Sequence, residues 1–235
     1  MWYAVTSESQ NDRAGGARSA ADKKERGYSM EKSEQWLQWA VELQAMAQAG
    51  LEYSRDPFDR ERFQRLREIA AEMVQRHTEL PMEKVQDLFC CETGYQTPKL
   101  DTRAAIFQEG KILLVQERDG RWSLPGGWVD VDCSIAENAV KEVREEAGLE
   151  ASADFLIAVQ DREKHNRPVY AWKVCKIFVR CTALGGAFRP NTETQASGWF
   201  SLDALPPLAE EKNTPAQIAL CFQANAAPNW RTQFD

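Results

Sequence analysis

The chain has no run of about 18 consecutive apolar residues, the length a membrane-spanning helix needs, and that absence excludes a transmembrane helix. It also lacks a basic excess: its 235 residues carry a formal net charge of −7. No global field therefore gathers nucleic acid, and nucleic acid is not an expected partner. The six cysteines, at 90, 91, 133, 175, 181 and 221, form no C-x-x-C pair and no His-linked zinc spacing. Their scatter suits a reducing compartment, so the expected location is cytoplasmic. The adjacent Cys90 and Cys91 are read as packing residues near an apolar helix end. No internal repeat is visible. Residues 1–32 lack both apolar periodicity and the hydrophobic segment of a signal peptide. They are expected to be a disordered extension, with Met30 a candidate translation start.

Helical patterning begins at Ser33. Trp36, Leu37, Ala40, Leu43 and Ala47 mark one amphipathic helix ending at Gly50. Asp56 and Pro57 are the N-cap and first turn of a second, with Phe63, Leu66, Ala70, Met73 and Val74 as its buried face. A shorter piece, Met82 to Phe89, follows Pro81. These make a helical domain over 33–93 without a catalytic motif, suited to packing or dimerisation. Its arginines at 55, 60, 62, 65 and 67 interleave with acids, as on a solvated face. His77 is read as a lone, solvent-facing histidine.

A linker at 94–101 leads into β patterning. Arg103–Phe107 and Lys111–Glu117 read as a hairpin turned near Gln108-Glu109-Gly110. Phe155–Gln160, Val169–Cys181 and Gly198–Ser201 are further strands, Pro215–Asn225 a closing helix, and 226–235 a tail.

The densest information lies in residues 127–149. Ser134 is a good N-cap, Glu137 closes a capping box, and Gly148 supplies a left-handed C-cap. Ala136, Ala139, Val140, Val143 and Ala147 form one apolar face; Lys141, Glu142, Glu145 and Glu146 fall on the other. Glu142 and Glu146 repel at i,i+4, and anions in a last turn oppose the helix dipole. A divalent cation would remove both conflicts; a solvated acidic face is the plain alternative.

Around this helix the sequence resembles the Nudix box, G-x5-E-x7-R-E-U-x-E-E-x-G-U, with U a bulky apolar residue. Gly127, Glu142, Val143, Glu145, Glu146, Gly148 and Leu149 match at the family's spacing, and Trp122 to Gly127 read WSLPGG, as the family usually carries there. Cys133 stands where the family has Glu, and Lys141 where it has Arg. The resemblance implies an α/β fold, a Nudix α/β/α sandwich with a mixed sheet over 102–225, preceded by the helical domain, which resembles that of a Nudix branch acting on X-linked nucleoside diphosphates.

The resemblance also implies site residues. Glu145 and Glu146 are metal ligands; Glu142 is a further ligand or the group taking the water's proton; the Gly126 carbonyl reaches the metal. Glu193, on a loop, is either an additional ligand or base, or a solvated acid. The cofactor is Mg²⁺, with Mn²⁺ possible, since both accept oxygen ligands. The family's Arg orients the neighbouring catalytic Glu through a forked ion pair; Lys141 keeps the charge without the fork. Cys133 removes a supporting carboxylate, is read as a small buried residue or a redox-sensitive thiol, and has Asp132 beside it.

For the substrate, Asp161, Lys164, His165 and Asn166 form a polar cluster between strands, as in the same branch, against the reading of an ordinary polar turn. Lys164 or Arg103 would meet phosphate, and His165 and Asn166 a base, sugar or head group. Trp122, Trp128, Tyr170 and Trp172 are stacking candidates or sheet residues. The expected activity is a Mg²⁺-dependent pyrophosphohydrolase on a small-molecule nucleoside diphosphate derivative such as ADP-ribose or CDP-choline, in a homodimer. Trimming of RNA ends and a non-catalytic nucleotide sensor are the alternatives.

Overall fold

The computed structural model describes residues 20–78 and 80–235, with side chains described from Gln35 onward. The chain divides into two units, the first including Pro168–Trp172 with the N-terminal segment through Thr97, the second Pro98–Arg167 with Lys173–Asp235.

The first unit is built of α1 (Ala20–Tyr53), α2 (Pro57–Arg76) and α3 (Met82–Phe89). Leu37, Ala40, Val41 and Ala47 of α1 pack with Ala70, Ala71 and Val74 of α2 and with Val85 and Phe89 of α3. Two glutamines interrupt the apolar stripe and are satisfied there. Gln44 donates to Gln48 Oε1 at 3.3 Å, and Gln48 donates to the Gly94 carbonyl at 2.9 Å. Asp56 caps α2, accepting from the Phe58 and Asp59 amides at 2.8 and 3.0 Å, as expected. His77 is exposed but stacks on Trp36, ring centroids 4.3 Å apart.

Three expectations change here. Helix α1 starts at Ala20, inside the stretch expected to be disordered; positions 1–19 of that stretch lie outside the described residues. It also runs through Gly50 to Tyr53. Gly50 is a packing position: a Cβ there would fall 2.3 Å from the Phe63 ring of α2. Finally, Val169 is no strand residue but a member of this helical core.

The second unit runs β1 (Lys99–Gln108), β2 (Lys111–Glu117), β3 (Trp122–Ser123), α4 (Ile135–Ala147), β4 (Leu149–Asp161), α5 (Arg162–His165), β5 (Val174–Gly186), β6 (Thr194–Phe200), α6 (Pro215–Ala226) and β7 (Gln233–Phe234). The sheet order is β3-β2-β1-β5-β4-β7, with β6 paired to β2. It is mixed: β1 runs parallel to β5, while β1–β2 and β4–β5 are antiparallel. The β1–β2 hairpin turns on Glu109 and Gly110, at φ 50° and 74°, the pair of left-handed residues that a two-residue hairpin requires.

Alternation along the strands divides the interior into two layers. Ala104, Ile106, Leu113, Val115, Ile177 and Val179 face α4 through Ala139, Val143 and Ala147. Their neighbours Ala105, Ile112, Leu114 and Phe178 belong to the opposite layer, with Ile218, Cys221 and Ala224 of α6. This is the expected α/β/α sandwich. Residues 226–235 are more than a tail: β7 pairs with β4, and Trp230 Nε1 donates to the Ile157 carbonyl at 2.9 Å. Among the described residues no helix is long and apolar enough to cross a membrane.

Candidate active site

Helix α4 begins and ends where its capping residues dictate. Ser134 and Glu137 form a complete capping box, and Gly148, at φ 66°, closes the C-terminus by donating to the Arg144 carbonyl. The buried face differs from the apolar stripe, however. Ala136 is exposed, while Asn138, Glu142 and Glu146 turn inward beside Ala139, Val143 and Ala147. Glu145 stays in solvent, so the acidic trio is split between two environments.

A glycine loop makes the inward placement possible. The loop is zipped to β1 by Thr102 N–H to the Gly127 carbonyl at 2.9 Å and Ala104 N–H to the Pro125 carbonyl at 2.8 Å. Gly126, at φ 151°, would place a Cβ 1.9 Å from the Thr102 carbonyl oxygen. Its N–H donates to Glu146 Oε2 at 2.9 Å. A Cβ on Gly127 would stand 3.2 Å from both carboxylate oxygens of Glu142. Two residues without side chains thus let the backbone lie between β1 and the carboxylates of α4.

Burial dominates the electrostatics of both acids. It raises Glu142 above the ordinary carboxylate value, against the opposing charges of Lys141 and Arg103. It pushes Glu146 up to about 7, opposed by Arg103 and the Gly126 N–H. Lys141 Nζ donates to Asp130 Oδ2 at 2.6 Å and lies 3.6 Å from Glu142 and 3.9 Å from Glu145. Asp130's hydrogen bond, opposed by desolvation and reinforced by the charges of Glu142 and Glu145, raises the Lys141 pKa.

Residues that sequence reasoning missed hold the far end of the helix. Asn191 Nδ2 donates to the Glu145 carbonyl at 2.8 Å, and Thr194 Oγ1 to the Glu146 carbonyl at 2.7 Å. Both satisfy carbonyls that a helix end leaves open. They also fix the loop that carries Glu193, which is exposed and within electrostatic reach of Glu142. Asn138 is equally unannounced: it donates to Thr102 Oγ1 at 2.8 Å and accepts from the Asp130 amide at 3.3 Å.

Other expectations give way. Arg103 is not a free phosphate ligand. Buried at 5 % exposure, it forms a forked pair with Asp101, at 3.1 and 2.7 Å, and donates to the Leu124 carbonyl at 3.3 Å. Desolvation opposes its charge, but Asp101 prevails and raises its pKa. The polar cluster is largely committed within the fold. Asp161 caps α5, and His165 Nε2 meets Asp235 Oδ1 at 2.9 Å. Asn166, fully buried, bonds the Glu210 carbonyl at 2.7 Å and Gln217 at 3.1 Å, leaving no amide hydrogen for a ligand. Lys164 is exposed, and its charge acts on Asp235, the residue that meets His165. Trp122 packs edge-on against Phe200, ring centroids 4.8 Å apart, whereas Trp128 is half exposed.

Two desolvated carboxylates, a neighbouring solvent-facing one and glycine backbone form a hard oxygen donor set that suits a small divalent ion. Among the described residues, acidic or thiol ligand atoms of three groups approach within 4.8 Å of one another at Asp130, Asp132 and Cys133, not at the three glutamates.

Comparison with known proteins agrees with this geometry. A model of the UDP-X-like N-terminal oligomerisation domain matches residues 34–89, and the NUDIX domain model matches residues 97–220. The Bacillus subtilis protein YjhB, whose name carries a provisional assignment as an ADP-ribose pyrophosphatase, is 42% identical over 201 residues, 85% of this chain and 97% of YjhB. A solved ADP-ribose pyrophosphatase from Streptococcus suis is 60% identical, covering 59% of this chain and 100% of its own, with a TM-score of 0.56. A solved UDP-X diphosphatase is 32% identical, covering 86% and 98%, also with a TM-score of 0.56. With Glu142 and Glu146 of the box turned in at one glycine loop and the family's domain matching residues 97–220, the chain belongs to the Nudix hydrolases, enzymes that cleave pyrophosphate bonds and use divalent metal ions.

Proposed function

We propose that this protein hydrolyses the diphosphate of ADP-ribose to AMP and ribose 5-phosphate, with Mg²⁺ or Mn²⁺ as cofactor. The observation that carries the reading is the burial of Glu142 and Glu146 against the Gly126–Gly127 loop. The names of YjhB and of the Streptococcus suis relative favour ADP-ribose. The UDP-X diphosphatase relative makes a nucleotide sugar the second candidate, ahead of CDP-choline.

In this reading Glu145, Glu146 and the Gly126 carbonyl hold the ion, and Glu142 is either a further ligand or the base. When bound, the ion supplies Lewis acidity toward the diphosphate oxygens. The Gly126 N–H fixes the Glu146 carboxylate, and Lys141 orients Glu142 and Glu145. As the base, Glu142, which Lys141 faces at 3.6 Å, takes a proton from the attacking water. The water oxygen bonds to phosphorus as the bridging P–O bond breaks, and the leaving phosphate carries the electron pair. Glu193 assists as a further ligand or base from its loop.

Substrate recognition then rests on Lys164 and the half-exposed Trp128 rather than on Arg103 or Asn166, whose polar groups are occupied. The net charge of −7 speaks against RNA ends, which need Lys and Arg to neutralise phosphates. The inward pair of acids speaks against a sensor, for which buried repelling charges are a cost without a use. The oligomerisation-domain match supports a homodimer, and the free cysteines support the cytoplasm.

The test is product release from ADP-ribose, UDP-glucose, CDP-choline and a capped RNA end, with and without Mg²⁺, beside Glu142→Gln, Glu146→Gln and Glu193→Gln. Metal-dependent AMP formation, lost in the first two variants, is the expected result. Turnover on RNA alone, or nucleotide binding without turnover, overturns the reading. Wild-type turnover in Glu193→Gln removes that residue's role, and a monomeric mass by light scattering removes the dimer.

A further inference from the structure

We infer that Asp130 is the positioning residue that lets Lys141 serve in this active site, supplying from the glycine loop the carboxylate that position 133 lacks. The inference deepens the proposed function, since it rests on Glu142 and Glu145 acting in the site.

The box departs from its family pattern at two places only, Cys133 for Glu and Lys141 for Arg. A guanidinium reaches two acids at once through a rigid fork. An ammonium on a flexible stem does not, and needs to be steered. In the structure the steering group is plain. The shortest contact of Lys141 Nζ is with Asp130 Oδ2, at 2.6 Å, and from there it faces Glu142 Oε1 at 3.6 Å and Glu145 Oε2 at 3.9 Å. Asp130 is in turn held from behind. Its amide donates to Asn138 Oδ1 at 3.3 Å, and Asn138, fully buried, is anchored on Thr102 Oγ1 at 2.8 Å. A continuous chain of bonds therefore runs from β1 through Asn138 and Asp130 to the ammonium beside the two glutamates.

The vacant carboxylate and its replacement are neighbours. The Cys133 thiol and the Asp130 carboxylate lie within 4.8 Å of one another, and Lys141 is close enough to Cys133 to act on its charge. Cys133 N–H donates to the Asp130 carbonyl at 3.0 Å, so the loop is a tight turn that folds position 133 back over position 130. A glutamate at 133 would reach the ammonium that Asp130 now holds. Asp130 is half exposed and Lys141 a quarter exposed. Such a pair adds little to stability, which separates a positioning role from a structural one.

The experiment compares Asp130→Asn, Lys141→Met, their double variant, and Asp130→Asn combined with Cys133→Glu, with Asp132→Asn as the control. Three readouts are taken on the full chain: kcat and KM for ADP-ribose with Mg²⁺, the Mn²⁺ dissociation constant by calorimetry without substrate, and Tm. Asp130→Asn should lower kcat roughly ten-fold, since positioning errors fall on the chemical step. It should weaken Mn²⁺ several-fold and leave KM and Tm nearly unchanged. Adding Cys133→Glu should restore kcat to within about two-fold, and Asp130→Asn should change little once Lys141 is already Met. Wild-type kcat and Mn²⁺ affinity in Asp130→Asn would overturn the inference, as would an undiminished loss in the Lys141→Met background. An ADP-ribose assay silent in the wild type, with the Mn²⁺ pattern as expected, would remove the substrate reading and keep the role of Asp130; a wild type that binds no Mn²⁺ would remove both.

Discussion

Thr102 joins the glycine loop to helix α4: its N–H donates to the Gly127 carbonyl at 2.9 Å, and its hydroxyl accepts from Asn138 of α4 at 2.8 Å. One residue of β1 therefore sets both the glycine loop and the helix that presents the glutamates. The first prediction follows from the same junction. Asn138→Ala removes a donor from Thr102 and an acceptor from the Asp130 amide in a buried site. It should cost about 1–3 kcal/mol of stability, because buried polar groups lose their partners. Urea denaturation of the variant checks this; a change under about 0.5 kcal/mol would show that Thr102 and the loop repair themselves.

Gly126→Ala is expected to be more severe. Its φ of 151° is a glycine conformation, and the added Cβ would sit 1.9 Å from the Thr102 oxygen. The loop must peel from β1, breaking the N–H contact to Glu146. A loss of roughly 3 kcal/mol or more is expected, from backbone strain and overpacking together. Thermal unfolding and Mn²⁺ titration should both report it, and an unshifted Tm would mean that the loop adopts another path.

Divalent metal should stabilise the fold itself. Glu142 and Glu146 are buried at 8 % and 5 % exposure, and charge there is costly without a counter-ion. At a metal concentration 100 times its dissociation constant the stabilisation is about 2.7 kcal/mol, by mass action. Mn²⁺ should therefore raise Tm in the wild type and much less in Glu146→Gln. Equal shifts in the two proteins would place the metal elsewhere.

A fourth prediction concerns pH and lies beneath the site. Lys176, fully buried, pairs with Asp101, which also holds Arg103. Burial, reinforced by Arg103 and opposed by Asp101, lowers Lys176 from 10.5 to about 8. Between those values the unfolded chain binds more protons than the folded one, so stability rises with pH. The cost of the buried ammonium is full below about 8 and gone above about 10.5. Urea melts of wild type and Lys176→Met at several pH values between these limits should diverge, the wild type gaining on the variant as pH rises. Parallel curves would show that Lys176 keeps its proton throughout.

Much of this was legible along the chain because it is written in local periods. The capping box of Ser134 and Glu137, the Asp56-Pro57 helix start and the apolar run Ile112 to Val115 each depend on residues a few positions apart. What escaped reading is long in sequence. Asp101 reads as the end of a linker and Arg103 as a phosphate ligand until Lys176, on the parallel strand β5, closes over them. Asn166 looks available to a ligand until Gln217 of α6 takes its amide. Asn191 and Thr194 show no motif, because a helix end can accept a donor from any loop that passes it. The inward turn of Glu142 and Glu146 defied hydropathy because two glycines made room that no periodicity records.

The placement of Val169 in the core of the helical unit has a consequence for biosynthesis. The N-terminal helices leave the ribosome first, yet their core lacks a member until translation has passed β4 and α5. The helical unit thus reaches its final packing only after the chain has made α4 and delivered Pro168–Trp172 back to it, so the two units mature in an interleaved order rather than one after the other.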